Sequence, residues 1–390
     1  MKASNYLILL LCVIQLAGCQ KKAVPAKLQE QLDSIAAEMV PQHAEALCDV
    51  NMVMGEGGSI ILKGETNLPR AKEEILSLLG RSGYSFTDSI TVLPDPAVVT
   101  KPWGLVTVSV CNMRTKPSHA AEMATQALMG TPVKILNKRG GWLMVQTPDS
   151  YIGWTDDPVV ELSDSGLVAW KNSVRLIYLK NVGVITDAEG GTVSDIVFGD
   201  LLEKTGEQRD LFSVRIPDGR EGFIKKSDVT DFKVWAEKAE PDPEKMIEFA
   251  RTFLGTPYLW GGTSTKGVDC SGFTKTIYYY AGLILTRDAS GQFRYGQERS
   301  IENGYDSLAA GDLLFFGRVR DGKKRITHTG MYIGDSEFIH SSRMVKINSF
   351  DSTRVNYSKY LLDILQGARR IAGVPPGEGF VRVSQHSWYF

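Results

Sequence analysis

Apolar and polar residues recur with different periods along this chain, and the changes of period mark its segments. One continuous apolar run, Tyr6 to Leu16, stands at the start behind Lys2 and is too short to span a bilayer comfortably. From Ala26 to Ala46 apolar residues recur at helical spacing. Ser59-Ile60-Ile61-Leu62 reads as a short strand closed by Gly64, Pro69 to Leu79 as an amphipathic helix, and Ser89 to Leu93 as strand-like. This strand, helix, strand order predicts a small α/β domain over residues 20–100, in which the sequence offers no chemistry. Residues 101–233 switch to short β-rich runs with turn signals at close intervals, as in small barrels or sandwiches. An internal repeat supports this: Val145-Gln146-Thr147-Pro148-Asp149-Ser150-Tyr151-Ile152-Gly153-Trp154 aligns with Val214-Arg215-Ile216-Pro217-Asp218-Gly219-Arg220-Glu221-Gly222-Phe223. Both copies read as strand, Pro-Asp turn, strand, with a glycine before an aromatic. They divide the region into 101–162 and 163–233.

A linker rich in Glu, Lys and Pro follows at Ala236 to Asp242, and the last domain spans 234–390. Asp242-Pro243-Glu244 is a helix start: cap, first-turn proline and first-turn acid. Met246, Ile247, Phe249, Ala250, Phe253 and Leu254 continue at the helical period until Gly255. Thr274 to Leu283 reads as a buried helix, Gly311 to Phe316 as a buried strand, and Thr327–Gly334 with Phe338–Ser342 as a hairpin about Gly334-Asp335-Ser336.

Length and charge add bounds. At 390 residues two to four domains are expected. The net charge of −1 points away from nucleic acid as a partner. The apolar run ends in Leu16-Ala17-Gly18-Cys19, which resembles a bacterial lipoprotein cleavage box. Residues 1–19 are then a processing signal, with Cys19 acylated and the protein lipid-anchored to a membrane of the cell envelope, facing the periplasm. Of the five cysteines, Cys12 leaves with the signal and Cys19 takes lipid. Cys48, Cys111 and Cys270 remain, so at least one thiol is unpaired in an oxidising compartment. Pairing of Cys48 with Cys111 stays open.

Cys270 is the thiol with a chemical setting. It lies at or near the start of the helix predicted from Thr274, where unpaired N–H groups and the positive dipole end favour thiolate, so its pKa is expected below the usual value. The same N–H groups can stabilise an oxyanion. Two of the five histidines, His328 and His340, sit equidistant from Gly334 in the hairpin. An odd-length turn places them opposite one another on one face, with Met331, Ile333 and Ile339 on the other; an even-length turn sends them to opposite faces. A nucleophile, a base and a group to orient the base are the roles these three residues offer. A metal would need a fourth ligand and closer spacing, so neither metal nor other cofactor is expected.

Tyr258, Asp269-Cys270-Ser271-Gly272-Phe273, His328-Thr329-Gly330 and His340 together resemble the NlpC-type papain-like peptidases of bacterial cell walls. The repeat, with Asn112-Met113-Arg114 opening its first copy, resembles bacterial SH3-like domains. The resemblance implies an α+β fold: a papain-like catalytic domain preceded by two small SH3-like β-barrels and the small N-terminal α/β domain. It implies Cys270 as nucleophile, His328 as base and His340 as the orienting residue. The layout is similar to γ-D-glutamyl-L-diamino acid endopeptidases (dipeptidyl-peptidase VI), which act in murein recycling on peptidoglycan-derived peptides with a free N-terminal L-alanine. By that similarity Tyr258, Asp269, Ser271 and Ser290 line the substrate site, and Glu122 and Tyr151 of the first barrel close it. The substrate ammonium is then expected against Asp269 and Glu122. Two other functions remain open here, a wall-binding protein with a silent core and a papain-like acyltransferase. The polar Asp269, Ser271 and Ser290 speak against an acyl channel. The tail from Val374 to Phe390 has no assigned role.

Overall fold

The computed structural model describes residues 23–40, 44–301, 304–377 and 379–390. The apolar leader and Cys19 lie outside them. No described helix is long and apolar enough to cross a membrane. The chain divides into two compact units, one of residues up to Met39 with Cys48–Thr91, the other of Val40–Leu47 with Val92–Phe390.

In the first unit, helices α1 (Ala26–Met39) and α2 (Pro69–Arg81) accompany a sheet of order β1-β2-β3, made of Cys48–Met54, Ile60–Thr66 and Phe86–Val92. Leu28, Leu32, Ile60, Leu62, Ile75 and Leu79 form its core. The sequence pattern extends α1 too far and misses β1. That strand is an edge that buries only Met52 and carries Asp49 and Asn51, residue types depleted in strands.

The second unit begins with two barrels. The first consists of β4 (Trp103–Val106), β5 (Val110–Arg114), β6 (Met123–Leu128), β7 (Pro132–Arg139), β8 (Trp142–Gln146), β9 (Ile152–Thr155) and β10 (Val159–Leu162). After helix α3 (Asp164–Asn172), the second consists of β11 (Arg175–Tyr178), β12 (Val182–Thr186), β13 (Thr192–Val197), β14 (Leu201–Gln208), β15 (Leu211–Arg215), β16 (Glu221–Lys225) and β17 (Val229–Asp231). The strand orders are β10-β4-β7-β8-β9-β5-β6 and β13-β12-β16-β15-β14-β11-β17. Read from opposite edges these are the same permutation, so the internal repeat is a repeat of topology. Its aligned segments are the β8–β9 and β15–β16 hairpins. Gly153 and Gly222 recur because each lies where its strand crosses the second strand of its barrel. A Cβ there would come within 3.0 Å of Met113 in the first barrel and 2.7 Å of the Thr186 carbonyl in the second.

Helix α4 (Phe232–Lys238) leads to α5 (Pro243–Arg251), whose first turn is capped by the Asp242 carboxylate accepting from Glu244 and Lys245. Then come β18 (Thr263–Ser264), β19 (Gly267–Val268), α6 (Cys270–Tyr280), β20 (Leu283–Leu285), the single-turn α7 (Ala289–Gln292) and β21 (Gln297–Arg299). They are followed by β22 (Leu313–Arg320), β23 (Lys323–Gly334), β24 (Glu337–Ser342), β25 (Met344–Ser349), α8 (Lys359–Asp363), β26 (Leu365–Arg370) and β27 (Phe380–Arg382). A six-stranded sheet, β21-β26-β22-β23-β24-β25, packs one face on α5 and α6 through Phe249, Phe273, Ile277, Phe315, Met331 and Ile339. Its other face carries Leu314, Phe316, Tyr332, Phe338 and Phe350.

The tail closes the unit. Tyr389 is buried in a core with Leu105 of the first barrel, Ile177 and Leu201 of the second, and Ile284. The Tyr389 carbonyl accepts from Arg175 at 2.8 Å, and Phe390 stacks on Phe232 at 5.2 Å. Within the second unit the two barrels and the catalytic domain, each with a core of its own, thus also share this apolar cluster.

Candidate active site

Helix α6 starts at Cys270 because Asp269 caps it: Oδ1 accepts the Gly272 N–H at 2.7 Å. Gly272 is required there, since a Cβ would lie 1.9 Å from the Gly262 carbonyl. Asp269 has further bonds. Oδ2 accepts from Gly261 N–H at 2.9 Å, and the fully buried Arg287 grips the carboxylate with both terminal nitrogens, at 3.1 and 2.5 Å. Arg287 also donates to Ser271 Oγ at 3.0 Å and to Thr125 Oγ1 of the first barrel at 3.1 Å. Burial opposes its charge, but the Asp269 carboxylate more than offsets this and holds the guanidinium above its usual pKa. Gln292 adds a second tie, donating to the carbonyls of Ser271 and Thr286 and accepting from Thr274.

This corrects one expectation. Asp269 is already engaged by two backbone amides and a bidentate arginine, so its acceptor positions are taken within the protein and a substrate ammonium finds none of them open. A second correction concerns Cys270, which is 7% exposed. Burial and then the Asp269 charge push its thiol up to about 11, against the pull of the Thr329 and Ser271 N–H groups and Arg287. Desolvation outweighs these two N–H groups and Arg287, so the thiol is shifted up and not down. Tyr258 stands beside the same pair: burial, then the charges of Cys270 and Asp269, raise its phenol.

The hairpin places His328 and His340 on one face, though diagonally and not opposite. Asp335 and Ser336 both take positive φ and make a two-residue turn, with Gly334 opposite Glu337. Such an even turn alone would split the histidines between faces. A bulge between Tyr332 and Gly334 inserts one residue into β23 and restores the parity, giving Met331↔Ile339 on the core face. The histidine rings meet with His328 Nε2 2.7 Å from His340 Nδ1. His340 Nε2 lies 2.9 Å from Asn348 Oδ1 on β25, and Asn348 Nδ2 donates to the Asn356 carbonyl at 2.8 Å. Burial, with His340 and Lys346 nearby, lowers His328 to about 3. Burial likewise lowers His340 to about 4. Thr329, the residue after His328, presents its N–H to the Cys270 sulfur, which brings β23 to the α6 N-terminus.

Tyr151 arrives from the first barrel on the β8–β9 loop. Asp149 in that loop pairs with Lys275 of α6 at 3.0 Å, and His386 Nε2 of the tail lies 2.9 Å from the Pro148 carbonyl. Tyr151 Oη sits 3.4 Å from both oxygens of Asp288. Burial raises the Asp288 carboxyl, partly offset by Arg287. Glu122 is exposed, although the next residue, Met123, is pressed against Gly261, where a Cβ would lie 2.6 Å from its carbonyl. Ser290 is exposed on α7 and lies outside the Asp269–Arg287–Ser271 network. Arg287, Asp288, Gln292 and Asn348 are therefore the residues that motif reading missed. The first three fall in Arg287-Asp288-Ala289-Ser290-Gly291-Gln292, where attention to buried charge would have favoured Arg287 and Asp288 over Ser290. Asn348 carries no sequence signal beyond its alternation on β25. Cys48 and Cys111 are both free thiols, the latter 3.2 Å from Thr155 Oγ1 inside its barrel.

A capped nucleophile helix against an antiparallel sheet bearing two linked histidines defines a papain-like cysteine hydrolase class, and sequence comparison agrees. The NlpC/P60 family model matches residues 255–366, and the bacterial dipeptidyl-peptidase Sh3 domain matches residues 113–157. The chain belongs to the NlpC/P60 family, and its similarities support a peptidase that cleaves peptidoglycan peptides. It is similar to the gamma-D-glutamyl-L-lysine dipeptidyl-peptidases of Bacillus cereus (32% identity; 65% of this chain, 76% of that protein) and Bacillus subtilis (30% identity; 61% and 78%). The crystal structure of an NlpC/P60 family protein from Bacillus cereus matches 69% of this chain and 99% of its own, with TM-score 0.59 and 24% identity, a likeness of fold.

Proposed function

We propose that this peptidase hydrolyses the γ-D-glutamyl-L-diamino acid bond of peptidoglycan stem peptides with a free N-terminal L-alanine, as a murein-recycling enzyme held at the cell envelope through Cys19. The observation that carries its chemistry is the hydrogen-bond chain behind His328. Asn348 Nδ2 is committed to the Asn356 carbonyl, so Oδ1 faces His340 and accepts from its Nε2–H. Neutral His340 then has Nδ1 as an acceptor, which assigns the His328 proton to Nε2 and leaves Nδ1 unprotonated. His328 is thus a base in the correct tautomer for the Cys270 thiol. Sulfur attacks the γ-carbonyl carbon as its proton passes to His328, and the N–H groups at the start of α6 receive the oxyanion. Collapse breaks the C–N bond, and His328 returns the proton to the leaving amine. Water, deprotonated by His328, then cleaves the thioester and restores the thiol.

Asn348 has a testable place in this scheme. Asn348→Leu removes the acceptor that fixes the His340 tautomer and should lower kcat on the order of 10- to 100-fold, less than the roughly 10²–10⁴-fold ascribed to the positioned base itself. KM should be unchanged, and Asn348→Asp, which keeps an acceptor, should retain most of the rate. Equal kcat for wild type and Asn348→Leu would remove Asn348 from the chain.

Asp288 supports the free-amine specificity. It is a half-buried carboxylate near Arg287 whose side-chain hydrogen bonds among the described residues are the two long ones from Tyr151, so a substrate ammonium there gains a charge-assisted bond of about 1.5–3 kcal/mol. An amide nitrogen gains none. The free tripeptide L-Ala-γ-D-Glu-diamino acid should therefore be cut about 10- to 150-fold more efficiently than its N-acetyl form. Comparable kcat/KM on the two would refute this specificity.

A further inference from the structure

Beyond the Phe316↔His328 pair, β22 and β23 continue as a two-stranded arm that turns at Asp321-Gly322. On this arm Arg318 stands opposite Arg325, and Arg320 opposite Lys323. Alternation along β22 puts Arg318 and Arg320 on the face of Phe316, and a bulge in β23 between Ile326 and His328 brings their partners Arg325 and Lys323 to that same face. Like charges directly opposite one another destabilise a strand pair. Protection of an exposed hairpin from aggregation asks for charge, but not for cations facing cations. Among the described residues no acidic side chain lies within ion-pair distance of Arg318, Lys323 or Arg325, and Arg320 reaches only the exposed Asp321 at 3.8 Å. In a chain of net charge −1 this is a local concentration of positive charge. Three of the cations, Arg318, Arg320 and Arg325, line a groove of about 920 Å³ together with Asp321 at the turn and with Tyr360 and Ile364, Tyr360 being 64% exposed. A concave cationic groove with an aromatic wall suits an extended anionic chain better than a flat membrane surface.

We propose that this groove binds the leaving-group half of the substrate and selects peptides with carboxylates beyond the scissile bond. The proposal rests on the reaction assigned above. Successive cation pairs lie about 7 and 14 Å along the strands from the His328 rung. An extended peptide advances roughly 3.5 Å per residue, so carboxylates about two to four residues past the cut come alongside. Arginine suits this role because its planar fork meets a carboxylate with two parallel N–H donors. A bound carboxylate also relieves the repulsion between the facing cations.

The experiment uses the full chain with Cys270→Ala, which cannot turn over. It is titrated with a stem tetrapeptide ending in a free carboxylate and with the same peptide as its C-terminal amide. The amide should bind about two- to fivefold more weakly, the scale expected of solvent-exposed ion pairs. Adding Arg318→Gln and Arg325→Gln should remove the difference. Equal affinity for acid and amide, no binding of either, or a difference that survives both replacements would overturn the proposal. So would arginine-dependent binding to phosphatidylglycerol vesicles without acid–amide discrimination, which would assign the arm to a membrane. Should the wild type fail to cut these peptides while the Cys270→Ala protein still separates acid from amide through the two arginines, the proposed reaction is wrong and the groove stands.

Discussion

Cys270→Ala and His328→Ala are each expected to lower kcat by about 10⁴-fold or more, and the double variant little further, because nucleophile and base act as one unit. His340→Ala should leave a measurable residual rate, since that ring orients the base without accepting the thiol proton. The pH profile carries the sharper expectation. With Cys270 raised to about 11 and His328 lowered to about 3, the resting pair is thiol and imidazole. The active protonation state requires His328 unprotonated and Cys270 protonated, so kcat/KM should be flat from about pH 5 to 9, with no limb near the ordinary imidazole value of about 6.5. A preformed thiolate–imidazolium pair would instead lose activity as an acidic thiolate takes up its proton. An acid limb between pH 6 and 7 that disappears in His328→Ala, measured on residual turnover, would contradict the neutral pair. The same shifts bear on stability. The histidines have folded values below their unfolded value of about 6.5, so the unfolded chain binds more protons as pH falls below that point. Stability should decline between about pH 6.5 and 3, and His340→Gln should flatten part of that decline in urea titrations.

Arg287→Met should be the most destabilising single change near the site. Arg287 and Asp269 are both buried, and removal of one partner of such a pair costs about 3–5 kcal/mol, mainly from the charge left unpaired. The lost contacts would also release Ser271 and Thr125, so the cap of α6 and the first barrel should loosen together. Adding Asp269→Asn removes the stranded charge and keeps an oxygen for the Gly272 N–H, so the double variant should recover part of the loss. Thermal and denaturant unfolding of the three proteins measures this directly. A loss under about 1 kcal/mol for Arg287→Met would mean that the pair does not pin the site.

Much of this molecule was legible from residues in order. Asp242-Pro243-Glu244 starts α5, Asp269 precedes a nucleophile helix, and the Pro-Asp repeat marks two barrels, because caps, turns and strand alternation are local effects that a short segment decides by itself. Cys270, His328 and His340 stood out as candidates through their motif, and the structure joins the two histidine rings. What tertiary structure alone decided is how charges and rings are shared. Asp269 reads as a free carboxylate until Arg287, eighteen residues on, is found buried against it. The upward shift of the thiol follows from burial, which outweighs the backbone N–H groups and Arg287 beside it. The parity of the histidines was decided by a bulge that no residue type announces, and the tautomer of His328 by Asn348 and Asn356, whose role exists only once β25 lies beside β24. The apolar Trp388-Tyr389-Phe390 tail had no local partner in sequence. It acquires meaning only where both barrels and the catalytic domain converge on it, because burial is a property of the assembled chain and not of any one segment.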